Sequence, residues 1–159
     1  MSHAGVHFGL VTADKGPAGL NFKVRPARRG DAAPIAAVLA ESQVAADAQT
    51  VTWIISHPEM EILVAADALD KVIGFITLSH RPLLKAGGRA ATIDEIAVLK
   101  AAQRKGVGRE LLRRAVERAK VLAVKRLEVQ SLGAPSEGVT AFFKACQFEP
   151  APAGVFRLK

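Results

Sequence analysis

Apolar positions recur along this chain with two different periods, and the alternation between them lays out the elements. A short apolar run at Phe22 to Arg25, stopped by Pro26, predicts a strand. Asp31 is placed to cap a helix whose first turn holds Pro34, and Ile35, Val38 and Leu39 form its apolar face. A second helix is predicted from Val44 to Ser56, carrying Trp53 and closed by Pro58. The pattern then becomes strand-like. Glu61 to Ala66 and Val72 to Ser79 flank the polar turn Asp67 to Lys71 and predict a hairpin. Leu83 to Gly88 is expected to be a loop, and Ala91 to Val98 the next strand. The longest helix is expected from near Lys105 to about Val121, because Leu111, Leu112, Ala115, Val116 and Ala119 fall on one face. Arg126 to Gln130 is a further strand, Ser136 caps a helix reaching about Ala145, and Val155 to Leu158 is a last strand.

The predicted order is β-α-α-β-β-β-α-β-α-β, a mixed α/β domain without internal repeats. It spans residues 21–159, and residues 1–20, rich in Gly and Ala without a clear period, form a loose N-terminal arm. The chain has 159 residues, half of them hydrophobic, which is enough for one core without disulfides or metals. Cys146 is the only cysteine, so an internal disulfide is excluded, and the four histidines form no metal-ligand pattern. A reducing cytoplasm is the expected compartment. No apolar run approaches the length of a membrane span, and no signal-peptide pattern opens the chain.

The net charge of +7 favours a polyanionic partner. Its location narrows the choice. Residues 100–126 hold ten Lys or Arg, opposed only by Glu110 and Glu117, with Glu110 and Arg114 at helix-pairing spacing. Within that stretch a strand is followed by Gln103-Arg104-Lys105-Gly106-Val107-Gly108 and then a helix. A helix N-terminus offers several unpaired N–H groups and a partial positive charge, which suits a diphosphate. Gly106 and Gly108 let phosphates approach the backbone, while Arg104, Lys105 and Arg109 add cationic charge. A Rossmann fingerprint is excluded because its third glycine position is Leu111, and a P-loop because Gly-Lys-Ser/Thr is absent. A nucleic-acid surface is disfavoured by few aromatics: seven Phe, one Trp and no Tyr.

The run Ile96-Ala97-Val98, four further residues, Gln103 to Gly108 and then Leu111-Leu112 resembles the acetyl-CoA motif of the GNAT N-acetyltransferase superfamily, Gln/Arg-x-x-Gly-x-Gly/Ala. Leu127-Glu128-Val129 and Phe142 to Phe148 are similar to that family's C-terminal half, so the resemblance covers about residues 22–159. It implies a central mixed, largely antiparallel sheet with helices on both faces. It also implies acetyl-CoA in a gap between two splayed parallel strands, Ala91 to Val98 and Arg126 to Gln130. Backbone groups near Ile96, Ala97 and Val98 would hold the pantetheine arm, and Gln103 to Gly108 with Arg109 the pyrophosphate. Ser136 and Phe143, on the last helix, stand where the family often has Asn and Tyr that face the cofactor. The amine of a small molecule or protein would attack the thioester directly, and a homodimer is within what the family shows.

Such chemistry needs a neutral amine, hence a proton acceptor, and a donor for the carbonyl oxygen. Asp94, Glu95 and Glu128 are the candidate acceptors, one of which would act. Asp94 and Glu95 are strand neighbours and should point to opposite faces. No tyrosine exists to protonate the thiolate, and Phe143 cannot. This leaves a non-catalytic acyl-CoA-binding domain as the alternative. Of the remaining residues, Cys146 suggests a packed thiol and His80 an exposed turn histidine. Trp53 suits either core or acceptor pocket.

Overall fold

A computed structural model describes residues 20–130, 134–152 and 156–158. Its strands are β1 (Phe22–Pro26), β2 (Met60–Asp67), β3 (Val72–Leu83), β4 (Gly88–Val98) and β5 (Val124–Val129). Its helices are α1 (Ala32–Glu41), α2 (Ala48–Ile55), α3 (Val107–Val121) and α4 (Glu137–Ala145). The strands form one sheet in sequence order, β1 to β4 antiparallel and β5 parallel to β4. A parallel pair needs a crossover connection, and α3 supplies it.

Two apolar clusters hold helices to the two faces of the sheet. Ile76, Leu78, Ala91 and Ile93 pack with Leu111, Leu112 and Ala115 of α3, and α4 adds Phe142 and Phe143 at the margin. On the other face Val64, Val72 and Phe75 pack with Ile35 and Val38 of α1 and Val51 of α2. Phe75, Ile35, Ile76, Ile93, Leu111 and Leu112 are fully enclosed. Each such side chain contributes about 1.5–3 kcal/mol by leaving water.

Several boundaries differ from the sequence expectation. The second helix begins at Ala48 rather than Val44, because the Asp47 carboxylate accepts from the Thr50 N–H (2.8 Å) and hydroxyl (2.8 Å) and fixes the start. Asp31 stands at the head of α1, yet its carboxylate does not cap it. It accepts two bonds from the Arg25 guanidinium (2.7 and 3.0 Å) and one from the Arg28 N–H (2.7 Å). The Arg25 bonds hold this carboxyl below its usual range. The loop expected at Leu83 to Gly88 is present, but β3 runs on from Ser79 to Leu83 and β4 begins at Gly88 rather than Ala91, so both strands extend up to it. Pro82 is tolerated there because β2 has already ended and β3 needs only one partner. The expected last strand at Val155 to Leu158 is not found in its described part. Phe156, Arg157 and Leu158 pair with no strand and are exposed, and Val155 lies outside the described residues, as does the arm before Leu20. On α3, Arg113 rather than Arg114 takes Glu110, and Arg114 reaches Glu117 instead.

Candidate functional site

β4 has two neighbours for half its length and one for the rest. Its residues 89–93 pair with β5, and the last link runs from the Gln130 N–H to the Ile93 carbonyl (3.1 Å). From Asp94 to Val98 only β3 remains as a partner among the described residues. The Leu99 N–H donates to the Ile73 carbonyl (2.9 Å) on the β3 side. By strand alternation the backbone groups of Ala97 also turn to β3, while those of Ile96 and Val98 turn to the open edge. Of the three backbone positions expected to face a ligand, Ala97 is therefore committed to the sheet.

The loop after β4 is built to present the start of α3. Lys100 to Ala102 form a short 3-10 turn, and the Lys100 N–H donates to Glu41 at the end of α1 (2.8 Å). Gln103 donates its side-chain amide to the Val98 carbonyl (3.0 Å), and Lys105 its ammonium to the Ala101 carbonyl (2.9 Å). Both side chains thus shape the loop. Arg104 and Gly106 adopt left-handed backbone (φ 61° and 82°), a conformation that glycine takes without steric cost. Gly106 is the N-cap of α3 and has no side chain to fill the first N–H groups of the helix. Those of Val107, Gly108 and Arg109 are left as donors at the positive end of the dipole. Arg104 and Arg109 are exposed and make no ion pair among the described residues. The donor set and its charge are of a kind that would suit a diphosphate.

Two loop residues have a different role from the one expected. The Val107 side chain is buried in the core, so only its backbone is available. Gly108 faces α4: a Cβ there would meet the Phe142 ring at 3.6 Å, ordinary contact distance. Its smallness admits the α4 ring beside α3, and alanine would also fit.

The carboxylates are arranged by an irregularity that the sequence did not reveal. In the β3–β4 register Leu78 faces Ile93 and Thr77 faces Glu95, which leaves Asp94 as an extra residue, a β-bulge. The strict alternation expected for Asp94 and Glu95 fails at this step, and both are exposed. Ile93 and Ile96 meet the same α3-side cluster although three residues apart, which only the extra residue permits. Glu95 then falls on the α1–α2 face with Ala97, and its carboxylate accepts from the buried Thr77 hydroxyl (3.3 Å). Glu128 pairs in register with Thr92, so it shares the face away from α3, where Arg126 holds it (3.1 Å). Glu95 and Glu128 are thereby brought to one face, and Asp94 stands at the bulge between the regular parts of β4. Thr77 was missed because a strand threonine is unremarkable until the register is known.

α4 supplies the far wall. Ser136 caps it, its hydroxyl accepting from the Val139 N–H (3.3 Å). The Phe143 ring is locked edge-on between Phe142 and Phe148, with centroids 5.2 and 6.1 Å away. Cys146 is half-buried near Arg109, and burial pushes its thiol up, which fits a packed thiol. His80 and Trp53 depart from expectation. His80 is buried (6% exposed), accepting at Nδ1 from Arg89 (2.9 Å), and lies by the Glu61–Arg118 pair toward the C-terminal end of α3. Trp53 is 65% exposed and stacks edge-on with His57, so it belongs to no core. Among the described residues no Cys/His/Asp/Glu group could hold a metal, and no helix is long and apolar enough to cross a membrane.

The fold is similar to that of several solved structures. A transcriptional regulator from Bacillus halodurans C-125 is 20% identical, with 87% of this chain and 100% of that one covered at a TM-score of 0.77. A ribosomal-protein-alanine N-acetyltransferase from Brucella melitensis biovar Abortus 2308 is 19% identical, covering 87% and 99% at 0.71. A putative acetyltransferase from Agrobacterium tumefaciens str. C58 is 22% identical, covering 86% and 99% at 0.75. No curated protein matches the chain in sequence. The family model for acetyltransferases of the GNAT family matches residues 33–148. With the half-paired β4 and the glycine-capped α3 inside that span, the chain belongs to the acetyltransferase (GNAT) family.

Proposed function

We propose that this chain transfers an acetyl group from acetyl-CoA to the primary amine of a small molecule or protein. The observation that carries the reading is the open edge of β4 running into the N-terminus of α3, which no side chain caps. The N–H groups of Val107, Gly108 and Arg109, with the Arg104 and Arg109 guanidiniums, hold the pyrophosphate. The outward backbone groups of Ile96 and Val98 hydrogen-bond the pantetheine arm as an added strand would. Acetyl-CoA supplies a thioester whose acetyl carbon accepts the amine nitrogen while the carbon–sulfur bond breaks.

An amine attacks only when neutral, so a carboxylate must take its proton. Glu95 is the best placed of the three candidates. It lies on the part of β4 that pairs with β3 alone and accepts from the Thr77 hydroxyl, whereas Glu128 is engaged by Arg126 on the paired part of β5. Asp94 and Glu128 add negative charge that favours a cationic acceptor. No side-chain acid stands at Phe143, and none is required: a thiol has a pKa near 8.5, so the leaving thiolate takes its proton from water at neutral pH. Amine acceptors also suit the names of similar structures. One is the ribosomal-protein-alanine N-acetyltransferase; another is an aminoglycoside acetyltransferase from an uncultured soil metagenomic sample, solved in complex with sisomicin.

The test is thiol release from acetyl-CoA across a panel of polyamines, aminoglycosides, lysine peptides and N-terminal peptides. Turnover with at least one amine is expected. CoA binding by calorimetry with no release from any of them would favour the non-catalytic reading, for which the caged Phe143 ring is the supporting observation.

A further inference from the structure

We propose that Thr77 is a positioning residue that orients the Glu95 carboxylate for proton transfer, a reading that rests on Glu95 being the base. Thr77 is 3% exposed, and a buried hydroxyl needs a partner. Among the described residues that partner is Glu95 Oε2, at 3.3 Å. The pairing depends on the bulge: with Leu78 opposite Ile93, only the extra residue Asp94 brings Glu95 into register with Thr77. A β-branched side chain in a strand has restricted χ1 freedom, so the hydroxyl direction is fixed by the sheet. The Thr77 O–H donates to one carboxylate oxygen of an otherwise exposed, flexible glutamate. That sets the plane of the group and leaves Oε1 toward solvent and the incoming amine. The proton moves from the amine nitrogen to Oε1 as the nitrogen–carbon bond forms, and Thr77 gains or loses no proton.

Thr77→Val is nearly isosteric and removes only the hydroxyl, while Thr77→Ser keeps it. Steady-state kinetics with acetyl-CoA and the amine found in the panel should show Thr77→Val lowering kcat about 5- to 10-fold, the size of one lost hydrogen bond. The KM for acetyl-CoA and the melting temperature should stay near wild type, and Thr77→Ser should recover most of kcat. In a Glu95→Gln background Thr77→Val should add nothing, because the two act through one group. Wild-type kcat in Thr77→Val, equal loss in Thr77→Val and Thr77→Ser, or a full additional loss on top of Glu95→Gln would each overturn the assignment. Undiminished turnover in Glu95→Gln alone would instead overturn the base itself, and the role of Thr77 with it.

Discussion

The two ends of α3 use the same residue type for opposite purposes. Toward its C-terminus, Arg118 makes two bonds to Glu61 of β2 (2.8 and 2.7 Å), and at mid-helix Arg113 is shared by Glu110 and Glu117. Those arginines have their charge matched within the fold. At the N-terminus Arg104 and Arg109 stand exposed without an acidic partner among the described residues. β4 repeats the contrast: its first half is paired on both sides near the buried His80, and its second half on one side near the exposed acids. Bonds completed inside the fold stabilise it; under the proposed function, the groups left open are the ones that meet the cofactor. Changes at the open end should therefore alter activity and spare stability, and changes at the closed end should do the reverse.

The largest separation is expected at Glu95. Glu95→Gln keeps shape and the Thr77 contact but cannot accept a proton, and kcat should fall about 10²- to 10⁴-fold. Its melting temperature should match wild type, since the side chain is exposed. A shift in melting temperature as large as that of a core variant would break the division between the two ends.

Arginine substitutions test the division directly. Arg104→Ala and Arg109→Ala should each raise the KM for acetyl-CoA about 10-fold, the loss of one charge-assisted bond to phosphate, with kcat and stability little changed. Arg118→Ala should leave KM alone and cost about 1 kcal/mol in urea denaturation, a modest value because the pair is only partly buried. Equal effects of Arg109→Ala and Arg118→Ala on KM would show that the pyrophosphate is not held at the start of α3.

How far the sequence reveals this division depends on the range of the forces involved. Local signals were legible: Gly106 at the start of α3, Ser136 capping α4 and the apolar stripe from Leu111 to Ala119 are fixed by neighbours within a turn. So was the charge cluster. What escaped is set by partners distant in sequence. The bulge at Asp94 exists only relative to β3, and Asp31 abandons its cap for an arginine on β1. His80, followed by Arg81-Pro82, looks like a turn until β4 covers it. The apolar residues after Val155 suggested a strand, but alternation cannot say whether an edge is there to receive one. In the site, the motif residues Gln103 and Lys105 matched by type. Their actual bonds to Val98 and Ala101, and the left-handed Arg104 between them, are arrangements that no propensity announces.

The closed end should also show in the pH dependence of stability. Burial, followed by the Arg89 charge, holds the His80 imidazole below its ordinary value of 6.5. The unfolded chain then binds a proton that the folded chain resists, so stability is complete above about pH 6.5 and is lost as pH falls below it. Urea midpoints at pH 7.5 and 5.5 should fall more for wild type than for His80→Gln, which keeps a hydrogen-bond acceptor for Arg89 but has no titrating ring. Identical slopes would place the proton-linked loss elsewhere.

The smallest expected effect joins the ends through α4. Gln147 follows the last turn of that helix with φ 68°, a left-handed residue at the position where helices favour glycine. An L side chain there carries roughly 1 kcal/mol of strain, which glycine removes while adding flexibility to the unfolded chain. Gln147→Gly should therefore stabilise by at most about 1 kcal/mol. The backbone it relaxes carries Phe148, whose N–H donates to the Phe143 carbonyl (3.0 Å) and whose ring flanks Phe143. If the ring cage is only a wall, kcat should be unchanged while the melting temperature rises. A rise in kcat with it would mean that strain at Gln147 holds Phe143 away from its best position against the site. The closed and open ends of the molecule would then be coupled through α4 rather than separate.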